Sequence, residues 1–157
     1  MAKTTPATKA LDAKKIKYEL FEYNYDKSAQ KIGVQAAEDL GVSPARVFKT
    51  LMALVDGRPV CVLLPSDREA SMKKLAQAFD GKSAKMMPPG DAEKVTGYVV
   101  GGISPLGRRK QTPVSIDALA LDFESIFING GGRGLQIKIA PQVLIEVLAA
   151  KVVSIVG

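Results

Sequence analysis

The segment Phe48-Lys49-Thr50-Leu51-Met52-Ala53-Leu54-Val55-Asp56-Gly57-Arg58-Pro59-Val60-Cys61-Val62-Leu63-Leu64-Pro65 decides the architecture. Two apolar runs, 48–55 and 59–65, flank Asp56-Gly57-Arg58. An Asp-Gly step between such runs is a hairpin signature, because both residues tolerate the positive φ of a tight connection. The segment therefore predicts two neighbouring antiparallel strands, with Cys61 inside the second and Lys49 at the start of the first.

Working outward, helical and strand-like pieces mix along the chain. Thr5-Pro6 places a capping hydroxyl before a proline suited to the first helical position. Ala7, Ala10, Leu11 and Lys14 then recur at helical spacing and predict a helix over 6–15. Residues 18–23 are rich in aromatics and read as a strand, leading into a polar loop over 24–30. A helix over 34–40 stops at Gly41, and Ser43-Pro44 restarts one short turn. Downstream of the hairpin, Met72, Leu75, Ala76 and Phe79 form one apolar stripe on a helix over 71–79, which ordinary core packing explains. A short strand over 82–86 and a brief helix from Pro88-Pro89-Gly90 to about residue 95 follow. Residues 98–103 are strand-like until Ser104-Pro105-Leu106-Gly107 breaks them into a loop. Further strands are expected at 114–116, 125–128, 135–139 and 151–156, with a proline-started helix over 141–150. Helices among many short strands, without a regular βαβ repeat, predict an α+β fold with a mixed, barrel-like sheet surrounded by helices. No repeat or linker divides the chain, so residues 1–157 read as one domain.

Composition removes whole classes of mechanism. The chain has 157 residues, 46% hydrophobic and 24% charged, enough to bury a single core. It has no His and one Cys. A Ser-His-Asp triad, a Cys-His pair, a HExxH zinc site and any imidazole base are therefore excluded. One thiol excludes an intramolecular disulfide and a multi-Cys metal site, and neither metal nor cofactor is expected. Catalysis must use carboxylates, Lys, hydroxyls, backbone N–H groups or the substrate itself. No apolar run approaches the ~20 residues that span a bilayer, and the opening Met1-Ala2-Lys3-Thr4-Thr5-Pro6 lacks a signal peptide's apolar stretch. A cytoplasmic location without membrane attachment is expected, in keeping with a lone thiol. Lys+Arg 22 against Asp+Glu 16 gives a net charge of +6. That fits a polyanionic partner gripped through counterion release, and it equally fits a merely soluble basic surface.

Several residues are candidates for chemistry. Lys49 stands in an apolar strand, where its ammonium either snorkels to the rim or sits in a pocket able to bind phosphate or stabilise an oxyanion. Thr50 beside it offers a hydrogen bond, although β-branched residues suit strands for packing reasons alone. The segment Gly97-Tyr98-Val99-Val100-Gly101-Gly102-Ile103-Ser104-Pro105-Leu106-Gly107 permits close approach of backbone N–H groups to a ligand. Asn129-Gly130-Gly131-Gly132-Arg133-Gly134 makes a tight hairpin, or alternatively a second ligand-facing loop with Arg133 as an anion clamp. Neither segment carries a nucleotide-binding pattern. Arg108-Arg109-Lys110 follows the first glycine loop, either solvated or gripping a nucleic-acid backbone. Tyr23, Tyr25 and Tyr98 serve packing or stacking. Cys61, with no cation beside it in sequence, reads as a buried apolar filler rather than a nucleophile.

The strings Val47-Phe48-Lys49-Thr50-Leu51, residues 97–107 as written above, and Gly130-Gly131-Gly132-Arg133-Gly134-Leu135 occur in this order. In them the chain resembles the YbaK/ProX/EbsC family, free-standing homologues of the editing domain of bacterial prolyl-tRNA synthetase, over nearly its whole length. Within that family it looks most like the branch that removes Cys from Cys-tRNA(Pro). The resemblance implies a barrel-like mixed sheet and a pocket for the 3′ end of a mischarged tRNA. It places the family's lysine at Lys49, its threonine at Thr50, its pocket tyrosine at Tyr23 and its loop glycine at Gly101. Gly102 and Ser104 of the same loop join the substrate-binding set. A pocket aromatic of the Cys-specific branch falls at Ile32, and an acidic residue after the glycine hairpin falls at Gln136. Both departures bear on amino-acid selectivity. Arg108, Arg109, Lys110 and Arg133 are the expected tRNA-binding cations.

An aminoacyl ester is already activated, so its hydrolysis asks for positioning and oxyanion stabilisation rather than a strong side-chain base. On this reading Lys49 holds a phosphate or the carbonyl region and an N–H near Gly101 stabilises the tetrahedral oxygen. The nucleophile is a water activated by the tRNA terminal hydroxyl, or the substrate cysteine's own thiol. Two rivals stand beside Cys-tRNA(Pro) deacylation: an Ala-tRNA(Pro) deacylase of the same fold, motivated by Ile32 and Gln136, and a non-catalytic tRNA- or synthetase-binding module, motivated by the charge. Prolyl-tRNA synthetase remains open as a delivery partner, and the oligomeric state is not legible.

Overall fold

The computed structural model describes residues 4–26 and 32–157. In chain order the elements are α1 (Pro6–Ala13), β1 (Glu19–Glu22), α2 (Ile32–Leu40), β2 (Phe48–Val55), β3 (Arg58–Pro65), α3 (Met72–Ala78), β4 (Ala84–Met86), α4 (Pro89–Thr96), β5 (Val114–Asp117), β6 (Ile126–Asn129), β7 (Leu135–Ile139), α5 (Pro141–Leu148) and β8 (Lys151–Val153). Short 3-10 turns occupy Pro44–Arg46 and Ala118–Asp122. Residues 27–30 of the loop read from the sequence lie outside the described residues.

The central hairpin forms as its sequence dictates. Val55 pairs with Arg58 across a turn in which Asp56 and Gly57 have φ of 50° and 81°. β2 and β3 are buried on both faces, which explains their continuous apolar character. Phe48, Met52, Cys61 and Leu63 enter the main core with α1, α4, α5, β6 and β7, whereas Ala53, Val55, Val60, Val62 and Leu64 pack beneath Leu75 of α3. The mixed sheet takes the form of two pieces: a five-stranded sheet ordered β4-β2-β3-β5-β8 and a three-stranded sheet ordered β1-β7-β6. A parallel bridge between Val47 and Phe127 seams them together.

Side-chain hydrogen bonds trim several strands relative to the sequence reading. β4 begins at Ala84 rather than residue 82 because the Asp56 carboxylate accepts the Lys82 and Ser83 N–H groups, at 3.0 Å each. These bonds hold the Asp56 carboxyl below its usual pKa. β8 stops at Val153 rather than residue 156 because the Ile155 and Val156 N–H groups turn to the buried Asp117 carboxylate, at 2.8 and 3.0 Å. The strand-like reading of 98–103 is corrected: these residues form a loop. Gly97 and Gly101 take φ of 80° and 92°, outside the extended region. The Tyr98 hydroxyl donates to the Leu106 carbonyl at 2.5 Å and folds the segment back on itself.

Candidate active site

A cleft of about 560 Å³ opens along one edge of β2. β4 covers that edge only opposite Ala53 to Val55, and the bridge at Val47 lies at the far end, so residues 48–51, paired with β3 on their other side, have no strand partner on this edge. Side chains from both faces of β2 reach the cleft there, Lys49 from one and Thr50 from the other. The main chain contributes as well. The Met52 carbonyl accepts the Met87 N–H on this edge, whereas the Val47 carbonyl accepts the Ser66 N–H on the β3 side. Alternation along an antiparallel strand therefore turns the Thr50 N–H and C=O toward the cleft.

Five of the sequence-predicted residues converge here: Ile32, Lys49, Thr50, Gly101 and Gln136. Apolar walls come from Phe48, Met52, Met86, Met87, Val100 and Ile103, and the remaining polar lining from Ser66, Glu69 and Asn129. Lys49 Nζ lies 3.7 Å from Glu69 Oε1, with the lysine side chain 22% exposed and the glutamate 75%. Glu69 is held by its main chain, since its carbonyl accepts the Gly157 N–H at 3.0 Å. Thr50 Oγ1 and Gln136 Oε1 are buried acceptors that no protein group satisfies.

Tyr23, predicted to bind substrate, does not line the cleft: it is buried beside the start of β7, where its N–H donates to the Gly134 carbonyl at 2.9 Å. Its hydroxyl is also buried without a hydrogen-bond partner. Burial raises the Tyr23 pKa, against the smaller opposing influence of the Gly134 main chain and the Gln136 amide. Gly102 and Ser104 stand in a supporting layer. A Cβ on Gly102 would come within 3.0 Å of the Gly132 and Arg133 main chain, so the two glycine segments dock through that absent side chain. Ser104 is fully buried and its Oγ accepts the Leu106 N–H at 3.2 Å.

The basic run divides. Arg108 turns inward, donating to the Pro105 carbonyl at 2.8 Å and to the Thr112 hydroxyl, whereas Arg109 and Lys110 are exposed. None of the three lines the cleft. Arg133 is exposed but directed: its Nε donates to the Val100 carbonyl at 3.0 Å and its guanidinium lies 5.3 Å from the Tyr25 ring centroid. Cys61 is wholly buried, and desolvation pushes its thiol up to about 11. Among the described residues no group of three or more His, Cys, Asp or Glu side chains converges to hold a metal, and no helix is long and apolar enough to cross a membrane.

Sequence reasoning did not single out Glu69 or Asn129. Glu69 carries no local signal, because its place beside Lys49 comes from the β2–β3 pairing and from the C-terminal segment that bonds its carbonyl. Asn129 does carry one: an Asn before a glycine run announces a side chain bonding its own following backbone. Its Oδ1 accepts the Gly131 and Gly132 N–H groups at 2.8 and 3.2 Å, and its Nδ2 donates to the Gly101 carbonyl at 3.1 Å.

The sequence pattern of the aminoacyl-tRNA editing domain matches residues 26–147. The chain is 34% identical over 146 residues to an Enterococcus faecalis protein named "Putative Cys-tRNA(Pro)/Cys-tRNA(Cys) deacylase EbsC", covering 90% of this chain and 87% of that one. It is 33% identical over 88 residues to the proline--tRNA ligase of Geobacillus kaustophilus, 56% of this chain and 16% of the ligase. Its fold superposes with a TM-score of 0.84, at 19% identity and 99% coverage of both chains, on the solved structure of "a putative trans-editing enzyme for prolyl tRNA synthetase".

Proposed function

Because the chain belongs to the aminoacyl-tRNA editing domain family, we propose that it is a trans-editing deacylase that cleaves the ester of mischarged Cys-tRNA(Pro). One observation carries this reading: a cation, Lys49, and two unsatisfied buried acceptors, Thr50 Oγ1 and Gln136 Oε1, line the same cleft as a positive-φ glycine loop. The 3′ end of an aminoacyl-tRNA brings the complementary set, a phosphate, an α-ammonium and an ester carbonyl. A buried acceptor left unpaired costs about 1–3 kcal/mol, which an incoming ammonium relieves. Lys49 takes the phosphate or the carbonyl region, and the Gly101 N–H meets the oxygen of the tetrahedral intermediate. Arg109 and Lys110, exposed near the glycine loop, grip the tRNA backbone.

The nucleophile is the substrate's own thiol. Its sulfur attacks the ester carbonyl carbon, an S–C bond forms, the C–O bond to the terminal ribose breaks, and the thiol proton ends on the released ribose hydroxyl. Water then opens the resulting thiolactone. Two features of the chain support this route: it has no imidazole, and its one cysteine is buried with a raised pKa.

The test is a panel of tRNA(Pro) charged with Cys, Ala, Ser and Pro. Release from Cys-tRNA(Pro) at least about 10³-fold faster than from the others is expected, beyond the roughly 10–200-fold that one group in an apolar pocket gives. Equal cleavage of Ala- or Ser-tRNA(Pro) refutes thiol attack, and preference for Ala-tRNA(Pro) establishes the other substrate. Lys49→Ala should lower kcat by about 10²–10³-fold. Its folding should be retained, because the Glu69 carboxylate it leaves behind is solvent-exposed and keeps its hydration. tRNA binding without release of any amino acid marks a binding module and overturns the enzyme reading.

A further inference from the structure

We propose that Asn129 and Arg133 are positioning residues that aim the Gly101 N–H into the cleft; the inference rests on the deacylase reading above. A peptide unit is planar and trans, so fixing its carbonyl direction fixes the opposite direction for its N–H. The unit joining Val100 to Gly101 is held by Arg133, whose Nε bonds the Val100 carbonyl at 3.0 Å. The Gly101 N–H therefore points away from Arg133. Among the described residues it has no main-chain acceptor, and Gly101 itself lines the cleft. The next unit, from Gly101 to Gly102, is held by Asn129, whose Nδ2 bonds the Gly101 carbonyl at 3.1 Å. Both planes flanking this one residue are thus clamped from the 129–134 hairpin.

The clamps are themselves fixed. Asn129 Oδ1 accepts two N–H groups, from Gly131 and Gly132, which determines which end of the amide faces Gly101. Arg133 lies over the Tyr25 ring, and the Tyr25 hydroxyl occupies the position 2.5 Å from where a Gly101 Cβ would stand. Glycine needs such fixing more than any other residue, because its peptide planes turn at the lowest energetic cost. A donor meant for a developing oxyanion stabilises it only when its direction is set beforehand. Arg133, expected from the sequence to grip tRNA, acts here through a carbonyl.

Asn129→Asp separates the roles. The carboxylate still accepts from Gly131 and Gly132, but it presents an oxygen to the Gly101 carbonyl instead of a donor. Arg133→Lys keeps the charge and loses the planar Nε bond and the ring stack. Positioning predicts that each lowers kcat by about 10²-fold, the cost of a misplaced reacting group. For Arg133→Lys, KM for Cys-tRNA(Pro) should stay within about threefold, since the change keeps the charge that would hold the tRNA. The Gly101 amide resonance should shift while the rest of the amide spectrum is preserved. Unchanged kcat in both variants overturns the proposal, as does a rise in KM alone for Arg133→Lys, which is the signature of a tRNA grip. A still Gly101 resonance also overturns it, and this readout needs no turnover. Absence of release by the wild-type protein sinks the deacylase reading and this inference together, whereas wild-type release with unaffected variants sinks only the latter.

Discussion

Gly101→Ala is the most informative single change at the site. Gly101 has φ +92°, a conformation that costs an L-residue about 1–2 kcal/mol. The new Cβ would lie 2.5 Å from the Tyr25 hydroxyl and 3.1 Å from two of its ring carbons, so the ring must move. Moving it disturbs the Arg133 contact, worth about 0.5–1 kcal/mol at an exposed site. Together these predict a loss of about 2 kcal/mol, or about 4–8 °C in Tm for a chain of this length. The effect on catalysis should be larger, about 10²-fold in kcat, because the displaced N–H is the proposed oxyanion donor. Thermal melting and single-turnover release from Cys-tRNA(Pro), measured well below the melting temperature, give the two numbers independently. Adding Tyr25→Ala to Gly101→Ala should restore part of the Tm, since it removes the overlap and leaves the backbone strain. A variant with kcat within twofold of wild type would refute the role given to the Gly101 N–H, and an unchanged Tm would refute the backbone argument.

Asp117→Ala should cost about 3 kcal/mol or more, because three main-chain N–H groups, of Leu119, Ile155 and Val156, lose their buried acceptor. Urea unfolding at neutral pH measures it, and a loss under 1 kcal/mol would show the C-terminal segment to be held by packing alone. In alkali, burial raises Cys61 from 9.0 to about 11 and Tyr98 from 10.0 to about 12. Both groups are favoured protonated in the folded protein, so their contribution is complete below the unfolded pKa and is lost as pH rises through the folded one. Unfolding midpoints should hold to about pH 9 and then fall to about pH 12, with Cys61→Ala delaying the onset by about one pH unit. An onset unmoved by that substitution would remove the thiol from the explanation.

Local signals carried most of the elements and almost none of the cleft's geometry. The Asp56-Gly57 turn, the Thr5-Pro6 cap and the stripe on α3 are short-range features, and each formed where its residues predicted. The cleft depends instead on how far β4 runs along β2. Continuing the register that pairs Ala53 with Met86 puts Pro88 and Pro89 opposite Leu51 and Thr50, where neither has an N–H to extend the ladder and α4 begins instead. The prolines are visible in a linear reading, but the strand they face is not. The run Arg108-Arg109-Lys110 shows the converse: three consecutive cations look equivalent, yet Arg108 is consumed by the Pro105 carbonyl and Thr112. The error over 98–103 has the same origin. Its apolar residues suit a strand, but two positive-φ glycines and the Tyr98 bond to Leu106 close the segment onto itself.

An editing site has to reject the smaller and near-isosteric residues that any pocket admitting cysteine also admits. Apolar walls such as Phe48, Met52 and Met87 discriminate by a few kcal/mol at most, because removing one group from a ligand in such a pocket is worth only about 1–3 kcal/mol. In the proposed complex Lys49 and Thr50 add little discrimination, since they would meet features that every aminoacyl-tRNA shares. On the proposed reading, selectivity at this site comes from the step rather than the fit. A chain without an imidazole gains from that arrangement: it leaves the protein only the tasks of holding the ester and aiming one N–H, and it leaves any substrate lacking a thiol bound but without a nucleophile.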